Sequence, residues 1–387
     1  MTLFFWISGV LLALIWLVPV VESAIHSHRV ATITKPEWNP TADDELPSLS
    51  VVVPARNEAV AIEEALRSLF ALDYPKLAVV AINDRSTDAT GEILERVAKH
   101  ADSAGSLSVI HVRELPPRWL GKTHAMWLGA RQTTSEWILF TDADCVFRAD
   151  ALRRAIYHAE STNTDHLVLM PTFLTHSWGE SMMIAFLQVA GSFAVRPRKL
   201  RDPEARDFIG AGAFNLVRRS AYEKIGTFEA LRMEIVDDLK LGERIKRARF
   251  RQDVVLGPGL LTLRWFEGVA GLVRNVEKNM FALLRFRISL VFAACLGLLF
   301  VNVLPFIGVL FAPGWARAPF AVAIALIAGR YYQNEHVSGV PGIAFLANPL
   351  SAVVTAVAAW RSTLAVLRDG AVTWRGTKYS LEELRKK

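Results

Sequence analysis

Cysteine is nearly absent from this chain: two occur in 387 residues, Cys145 and Cys295. That excludes a disulfide framework, since a bridge would have to join a polar strand end to an apolar run, and both are expected as packing residues. Charge is also sparse, at 21% of residues against 52% hydrophobic, which is more apolar than a soluble domain needs. No basic, aromatic-interleaved groove element occurs between the apolar runs. The net charge of +6 is therefore assigned to basic segments flanking those runs, and nucleic acid is not expected as a partner. No basic side chain precedes the first apolar run, and no small-residue cleavage site follows it before His26-Ser27-His28-Arg29. It reads as a retained anchor rather than a signal peptide.

What is present is a set of apolar runs at both ends. Leu3 to Val21 is uncharged and close to the ~20 residues that a helix needs to cross hydrocarbon. Ile288 to Ala312 forms a second block, Pro319 to Ala328 a shorter one flanked by Trp315 and Tyr332, and Ile343 to Trp360 a third, interrupted by Asn348-Pro349. The last is expected to be re-entrant or interfacial, because three crossings would separate the basic tail from the soluble part. His26, His28, Arg29 and Lys35 follow the first run, and Arg274, Lys278, Arg285 and Arg287 precede the second. By the positive-inside rule this orients the intervening part toward the cytoplasm, in a multi-pass protein of the cell (inner) membrane.

Between those ends, strands and helices alternate. Leu49 to Pro54, Leu77 to Ile82, Leu107 to Val112 and Trp137 to Phe140 read as short buried strands. Glu58 to Phe70, a segment capped at Ser86 to Thr90, and Lys122 to Thr133 read as helices. This alternation predicts an α/β domain on a mainly parallel sheet, with ligands at the carboxyl ends of its strands.

Each strand end carries polar residues. The first delivers Pro54, Arg56 and Glu58, the second Asp84, the helix entry Lys122, and the fourth Asp142 and Asp144. Residues i and i+2 of an extended segment point the same way, so Asp142 and Asp144 can converge on one hard cation, Mg2+ or Mn2+. Asp84 can accept a hydrogen bond from uracil N3–H or a ribose hydroxyl, and Lys122 can offset diphosphate charge.

The ordered series Val51 to Glu58, Asn83 to Thr90, Gly121 to Ala125 and Thr141 to Asp144 resembles inverting glycosyltransferase family 2, over about Leu49 to Phe281. With its terminal helices the chain is most similar to the membrane-bound, lipid-modifying branch that includes hopanoid-associated, carotenoid and ceramide glycosyltransferases. The resemblance implies a GT-A fold with a mixed, mainly parallel sheet and a nucleotide-sugar donor, a UDP-sugar. It puts Glu58 and Asp84 on the donor nucleotide, and Asp142 with Asp144 on the metal-diphosphate site. Asp237-Asp238 resembles the family's acidic pair before a helix, which assigns Asp238 as the general base. Gly210 to Phe214 resembles the small-residue segment beside the donor sugar, which brings in Gly212. Processive synthases carry Q-x-x-R-W near Arg274 to Asn279; this chain does not, and Lys278-Asn279 is similar to a pair in non-processive relatives, with Lys278 assisting the diphosphate.

The expected organisation is an anchor at 1–24, a catalytic domain at 45–265, an amphipathic interfacial segment at 266–287, a hydrophobic cluster at 288–362 and a basic tail at 363–387. Val269, Leu272, Val273, Val276, Met280, Leu283 and Leu284 form an apolar stripe suited to a headgroup layer. Trp178 to Phe193 is a second such candidate. The acceptor is then a lipid in the bilayer. A membrane-associated nucleotidyltransferase and a catalytically silent membrane scaffold are the alternatives.

Overall fold

The computed structural model describes residues 2–40, 46–101, 107–277, 279–374 and 377–385. The chain divides into two compact units. One comprises Met1–His28, Phe173–Ala194 and Arg264–Lys387; the other comprises Arg29–Thr172 and Val195–Leu263.

The second unit is built on a seven-stranded sheet of order β3-β2-β1-β4-β8-β6-β9. Its strands are β1 (Leu49–Ala55), β2 (Leu77–Asp84), β3 (Leu107–Val112), β4 (Trp137–Phe140), β6 (His166–Met170), β8 (Asn215–Arg218) and β9 (Gln252–Leu256). The short strands β5 (Val146–Phe147), β7 (Thr172–Phe173) and β10 (Leu261–Leu263) lie outside it. Every residue of β1 and β4 is buried, as expected of continuous apolar runs covered on both faces. β1 runs parallel to β2 and β4, whereas β8 is antiparallel to both β4 and β6, so the sheet is mixed but mostly parallel.

Amphipathic helices close over this sheet. In helix Ile62–Phe70 the buried positions are Ile62, Ala65, Leu66 and Leu69, the i, i+3, i+4, i+7 spacing of a core-facing stripe. This helix begins four residues later than its apolar pattern suggests. The Glu58 and Ala59 amides are taken by Thr90 Oγ1 (2.8 Å) and Asp88 Oδ2 (3.2 Å) instead, and Asn57 adopts φ 55°. On one face, Val52, Val80, Ile82, Phe140 and Val217 pack with Ala125 and Met126 of helix Gly121–Arg131 and with Leu241 and Ile245 of helix Asp237–Arg247.

Three strands of this unit share one buried polar cluster. His166 and Gln252 are register partners on β6 and β9, and Asn215 lies two residues from Val217, the partner of His166 on β8, so all three side chains share a face. Burial pushes the His166 imidazole down to about 4. Below the ordinary histidine value of about 6.5 an unfolded chain takes up a proton that the folded chain refuses. The stability that His166 contributes is therefore expected to fall as pH drops from 6.5 through 4, by about 3 kcal/mol in all. Denaturant titrations of wild type and His166→Leu across that range check this, because the stability of the wild type relative to the variant should fall by that amount.

In the other unit, Thr2–Arg29 and Gly342–Asp369 are long and apolar enough to cross a membrane. Ile288–Asn302 and Leu304–Phe311 form a pair bent by 46° that together would make a third span. The break falls beside Pro305, as expected of a residue that removes a helical hydrogen bond. The stretch Ile343 to Trp360, expected as re-entrant or interfacial, lies inside a continuous 28-residue helical run. Asn348-Pro349 opens its α-helical part rather than interrupting it, and proline in the first turn costs no helical hydrogen bond. Tyr331 Oη donates to Asn348 Oδ1 at 3.1 Å, and Asn348 Nδ2 to the Asn302 carbonyl at 3.1 Å, so these polar groups satisfy one another among apolar neighbours.

Three of the seven residues in the stripe expected to face headgroups are turned inward. Val269, Leu272 and Val276 pack against Met182, Met183 and Phe186 of helix Trp178–Gly191, and Phe266 and Ala352 join the cluster. Helices Gly268–Glu277 and Trp178–Gly191 thus pack on one another through these side chains. Leu283 and Trp178, at 50% and 63% exposure, are left outward.

Candidate active site

Strand register assembles the site. Pairing of Ala55 with Asn83 puts Arg56 beside Asp84, and Arg56 Nη1 lies 3.9 Å from Asp84 Oδ2. Asp84 is buried, and Arg85 takes both of its oxygens, Nε to Oδ1 at 2.7 Å and Nη2 to Oδ2 at 3.1 Å. A carboxylate offers about four lone-pair sites, so a base or ribose donor would share Asp84 with Arg85. Arg85 sits at φ 55°, a left-handed conformation uncommon in a long side chain. Pro54 lies buried within β1 and contributes backbone rather than a reactive group.

The loops after β1 and β2 are stitched together. Asn57 Oδ1 accepts the Thr87 amide at 2.8 Å, and the Asn57 amide donates to Ser86 Oγ at 3.1 Å. Glu58 is half-buried between them.

Beyond β4, burial alternates as the period-2 reading requires: Thr141, Ala143 and Cys145 are buried while Asp142 and Asp144 are half-buried. Burial pushes the Asp144 carboxyl up to about 6, and the negative charges of Asp142 and Glu58 add to the rise. Phe140 pairs with Asn215 across the antiparallel β4/β8 ladder, which carries residues 211–214 alongside 141 and 142. Thr141 Oγ1 donates to the Ala213 carbonyl at 2.7 Å and fixes that approach. At Gly212 a Cβ would stand 2.7 Å from Asp142 Oδ2, so a side chain there would displace the Asp142 carboxylate.

Lys122 enters from the first turn of helix Gly121–Arg131, whose start is tied to the acidic segment by the Leu120 amide and Thr123 Oγ1, both donating to the Arg232 carbonyl at 2.8 Å. Its Nζ lies 2.7 Å from Asp142 Oδ1 and 3.8 Å from Asp237 Oδ2. Burial works against the ammonium, but Asp142, Asp237 and Asp238 outweigh it and hold Lys122 charged well above the ordinary lysine range.

Asp237 and Asp238 open helix Asp237–Arg247, where exposed amides favour negative charge. Their surroundings differ. Asp237 is buried against Lys122, and burial pushes its carboxyl up to about 7, with Lys122 opposing and Asp238 adding to the rise. Asp238 is half-buried; its Oδ1 accepts the Leu239 amide at 2.7 Å and its Oδ2 the Gly212 amide at 3.0 Å. Burial raises its carboxyl too, against the pull of Lys122 and these two amides.

Lys122, Asp142, Gly212, Asp237 and Asp238 therefore meet at one place, with Asp144 and Glu58 in charge contact with the same group. Arg56 and Asp84 form a neighbouring pair. Lys278 lies outside the described residues. The sequence reading did not single out Arg85, Thr123 or Thr141, whose local patterns are those of ordinary loops and helix starts.

This topology, a mixed and mostly parallel sheet with acids and a lysine gathered at the carboxyl ends of its strands, is that of a GT-A-like fold. Residues 50–226 match the family model described as Glycosyl transferase family 2, and the chain is a glycosyltransferase. It is similar over 98% of its length, and 99% of the relative's, to 4,4'-diaponeurosporenoate glycosyltransferase of Staphylococcus aureus strain N315, at 22% identity. The corresponding protein of strain USA300 is 23% identical over 87% of this chain and 89% of its own. Among solved structures, mannosyltransferase PcManGT from Pyrobaculum calidifontis, in complex with GDP-Man and Mn2+, shares the fold with a TM-score of 0.55. It is 20% identical, and the match covers 94% of this chain and 99% of that one.

Proposed function

We propose that this protein is a membrane-bound, non-processive inverting glycosyltransferase. It moves one sugar from a nucleotide-sugar donor, a UDP-sugar, to the hydroxyl of a lipid acceptor, with Asp238 as the general base. The observation that carries this reading is the meeting of Lys122, Asp142, Asp237, Asp238 and the Gly212 amide. Two relatives whose named acceptor is a carotenoid acid, matched over 98% and 87% of this chain, support an apolar acceptor. Two apolar helices and a bent pair support a multi-pass protein, and the basic residues beside them support a cytoplasmic catalytic unit.

The two acids of the pair divide the work by accessibility. Asp237 is buried and faces Lys122, so it acts as a counter-charge. Asp238 is the more open, and both of its oxygens are aimed by backbone amides, leaving lone pairs for an incoming hydroxyl. As the acceptor oxygen attacks the anomeric carbon, Asp238 takes its proton and the bond from that carbon to the diphosphate breaks on the opposite face. One displacement inverts the centre. The Lys122 ammonium stands where negative charge grows on the departing nucleoside diphosphate.

The donor set also fits a divalent ion. Among the described residues no group of three or more His, Cys, Asp or Glu gathers as a metal site, but two carboxylates on alternate positions are the set by which Mg2+ or Mn2+ is shared with a substrate diphosphate. Burial raises Asp144 and the negative charges of Asp142 and Glu58 raise it further, and a cation there would offset that charge. Asp142 and Asp144 would hold the ion, which supplies electrostatic stabilisation of the leaving diphosphate.

Membranes containing the protein, incubated with a panel of radiolabelled nucleotide sugars and then extracted for lipid, test this reading. Label is expected in one organic-phase product bearing a single sugar of inverted configuration. Label from the nucleotide instead of the sugar would establish a nucleotidyltransferase, and no donor binding by the purified protein would leave a scaffold.

A further inference from the structure

Segment 209–212 threads between the acids with almost no clearance. A Cβ at Gly210 would lie 2.0 Å from the Asp238 carbonyl oxygen, and one at Gly242 only 1.8 Å from the Ile209 carbonyl oxygen. The segment lies outside the named helices and strands, yet it supplies the amide that aims Asp238.

What holds it is the buried cluster on β6, β8 and β9. The orientation of Gln252 is fixed by the backbone: Nε2 donates to the Gly242 carbonyl at 2.7 Å, and Oε1 accepts the Ile209 amide at 3.4 Å. Its Nε2 also faces His166 Nδ1 at 2.9 Å, so Nδ1 must be the acceptor and the proton sits on Nε2. That N–H then donates to Asn215 Oδ1 at 3.0 Å, the same oxygen that accepts the Ala211 amide at 3.3 Å. Every role follows from its neighbour. A protonated imidazole would set N–H against NH2, in agreement with the strong depression at His166.

We propose that His166, acting through Asn215 and Gln252, is a positioning residue that clamps residues 209–212 to helix Asp237–Arg247 and thereby aims the carboxylate of Asp238. The inference rests on the assignment of Asp238 as the base. Gln252 grips both sides of the contact, Ile209 on the segment and Gly242 on the helix, while Asn215 holds Ala211, one residue before the amide that reaches Asp238. A displacement of about 1 Å at a reacting group costs on the order of 100-fold in rate.

The test is a double-mutant cycle between His166 and Asp238, read as transfer of label from the radiolabelled UDP-sugar to lipid extract, with UDP titration in Mn2+ as the binding probe. His166→Leu is expected to lower kcat about 10- to 100-fold, with the donor KM and UDP affinity changed less than about twofold. In an Asp238→Glu background, whose carboxylate is already displaced, the same substitution should cost less than about threefold. An equal loss in both backgrounds overturns the inference and leaves the base assignment intact; full activity of Asp238→Asn sinks the base assignment itself. Should His166→Leu fail to fold, Asn215→Asp and Asn215→Leu decide. The aspartate keeps the acceptor oxygen and should retain kcat within about threefold, whereas leucine should lose about tenfold or more, and equal losses refute the clamp.

Discussion

Asp238→Asn is expected to lower sugar transfer by about 100- to 10,000-fold, the range that a positioned general base contributes, while the protein still binds its donor. The structure makes this sharper than a search for essential acids. Asparagine keeps the size of the side chain but has one acceptor oxygen where Asp238 uses two, one toward Gly212 and one toward Leu239. An amide nitrogen must then face a backbone N–H, and no lone pair basic enough to take a proton remains. Asp237→Asn should behave differently. Its carboxylate stands 3.8 Å from Lys122 Nζ and is 8% exposed, so its loss should appear in donor and Mn2+ affinity more than in turnover. Steady-state kcat and donor KM for the two variants, with calorimetric UDP binding, separate the roles. Unchanged turnover in Asp238→Asn, or the larger kcat loss in Asp237→Asn, would move the base to another residue.

Much of this site is legible in sequence because parallel strands advertise themselves. Leu49 to Pro54 and Trp137 to Phe140 are continuous apolar runs, and buried strands need them; the residues that follow stand at the sheet edge where ligands collect. Asp84, Lys122, Asp142 and Asp238 each sit at the end of such a run or the start of a helix, so their neighbourhood follows from element order alone. What the sequence hides is set by pairing across long separations. Asn215 to Arg218 is four residues long and ordinary, yet its insertion antiparallel between β4 and β6 is what brings Gly212 beside Asp142. His166, Asn215 and Gln252 have no shared local signature, because register and not spacing makes them neighbours. The stripe through Val269, Leu272 and Val276 shows the converse limit. Periodicity identifies an apolar face, but only packing decides whether protein or headgroups cover it.

Lys122→Met should be the more damaging change for folding. Its ammonium bridges Asp142 at 2.7 Å and Asp237 at 3.8 Å, with side-chain exposures of 13%, 32% and 8% for the three groups. Methionine fills the same volume but leaves Asp142, Asp237 and Asp238 facing one another without the charge that now offsets them. Breaking one partner of a buried ion pair costs about 3 to 5 kcal/mol, against about 0.5 kcal/mol or less for an unremarkable surface lysine. Denaturant unfolding of Lys122→Met, Asp237→Asn and the double variant measures this. The double variant should recover about 1 kcal/mol or more over the sum of the single losses, since residues in contact couple by that amount. The same ammonium is assigned to the donor diphosphate, so UDP affinity should fall along with stability. A variant that is destabilised but binds UDP in Mn2+ as tightly as the wild type would confine Lys122 to holding the acids together, and the diphosphate would then have to be met by Asp142, Asp144 and their ion without help from the lysine.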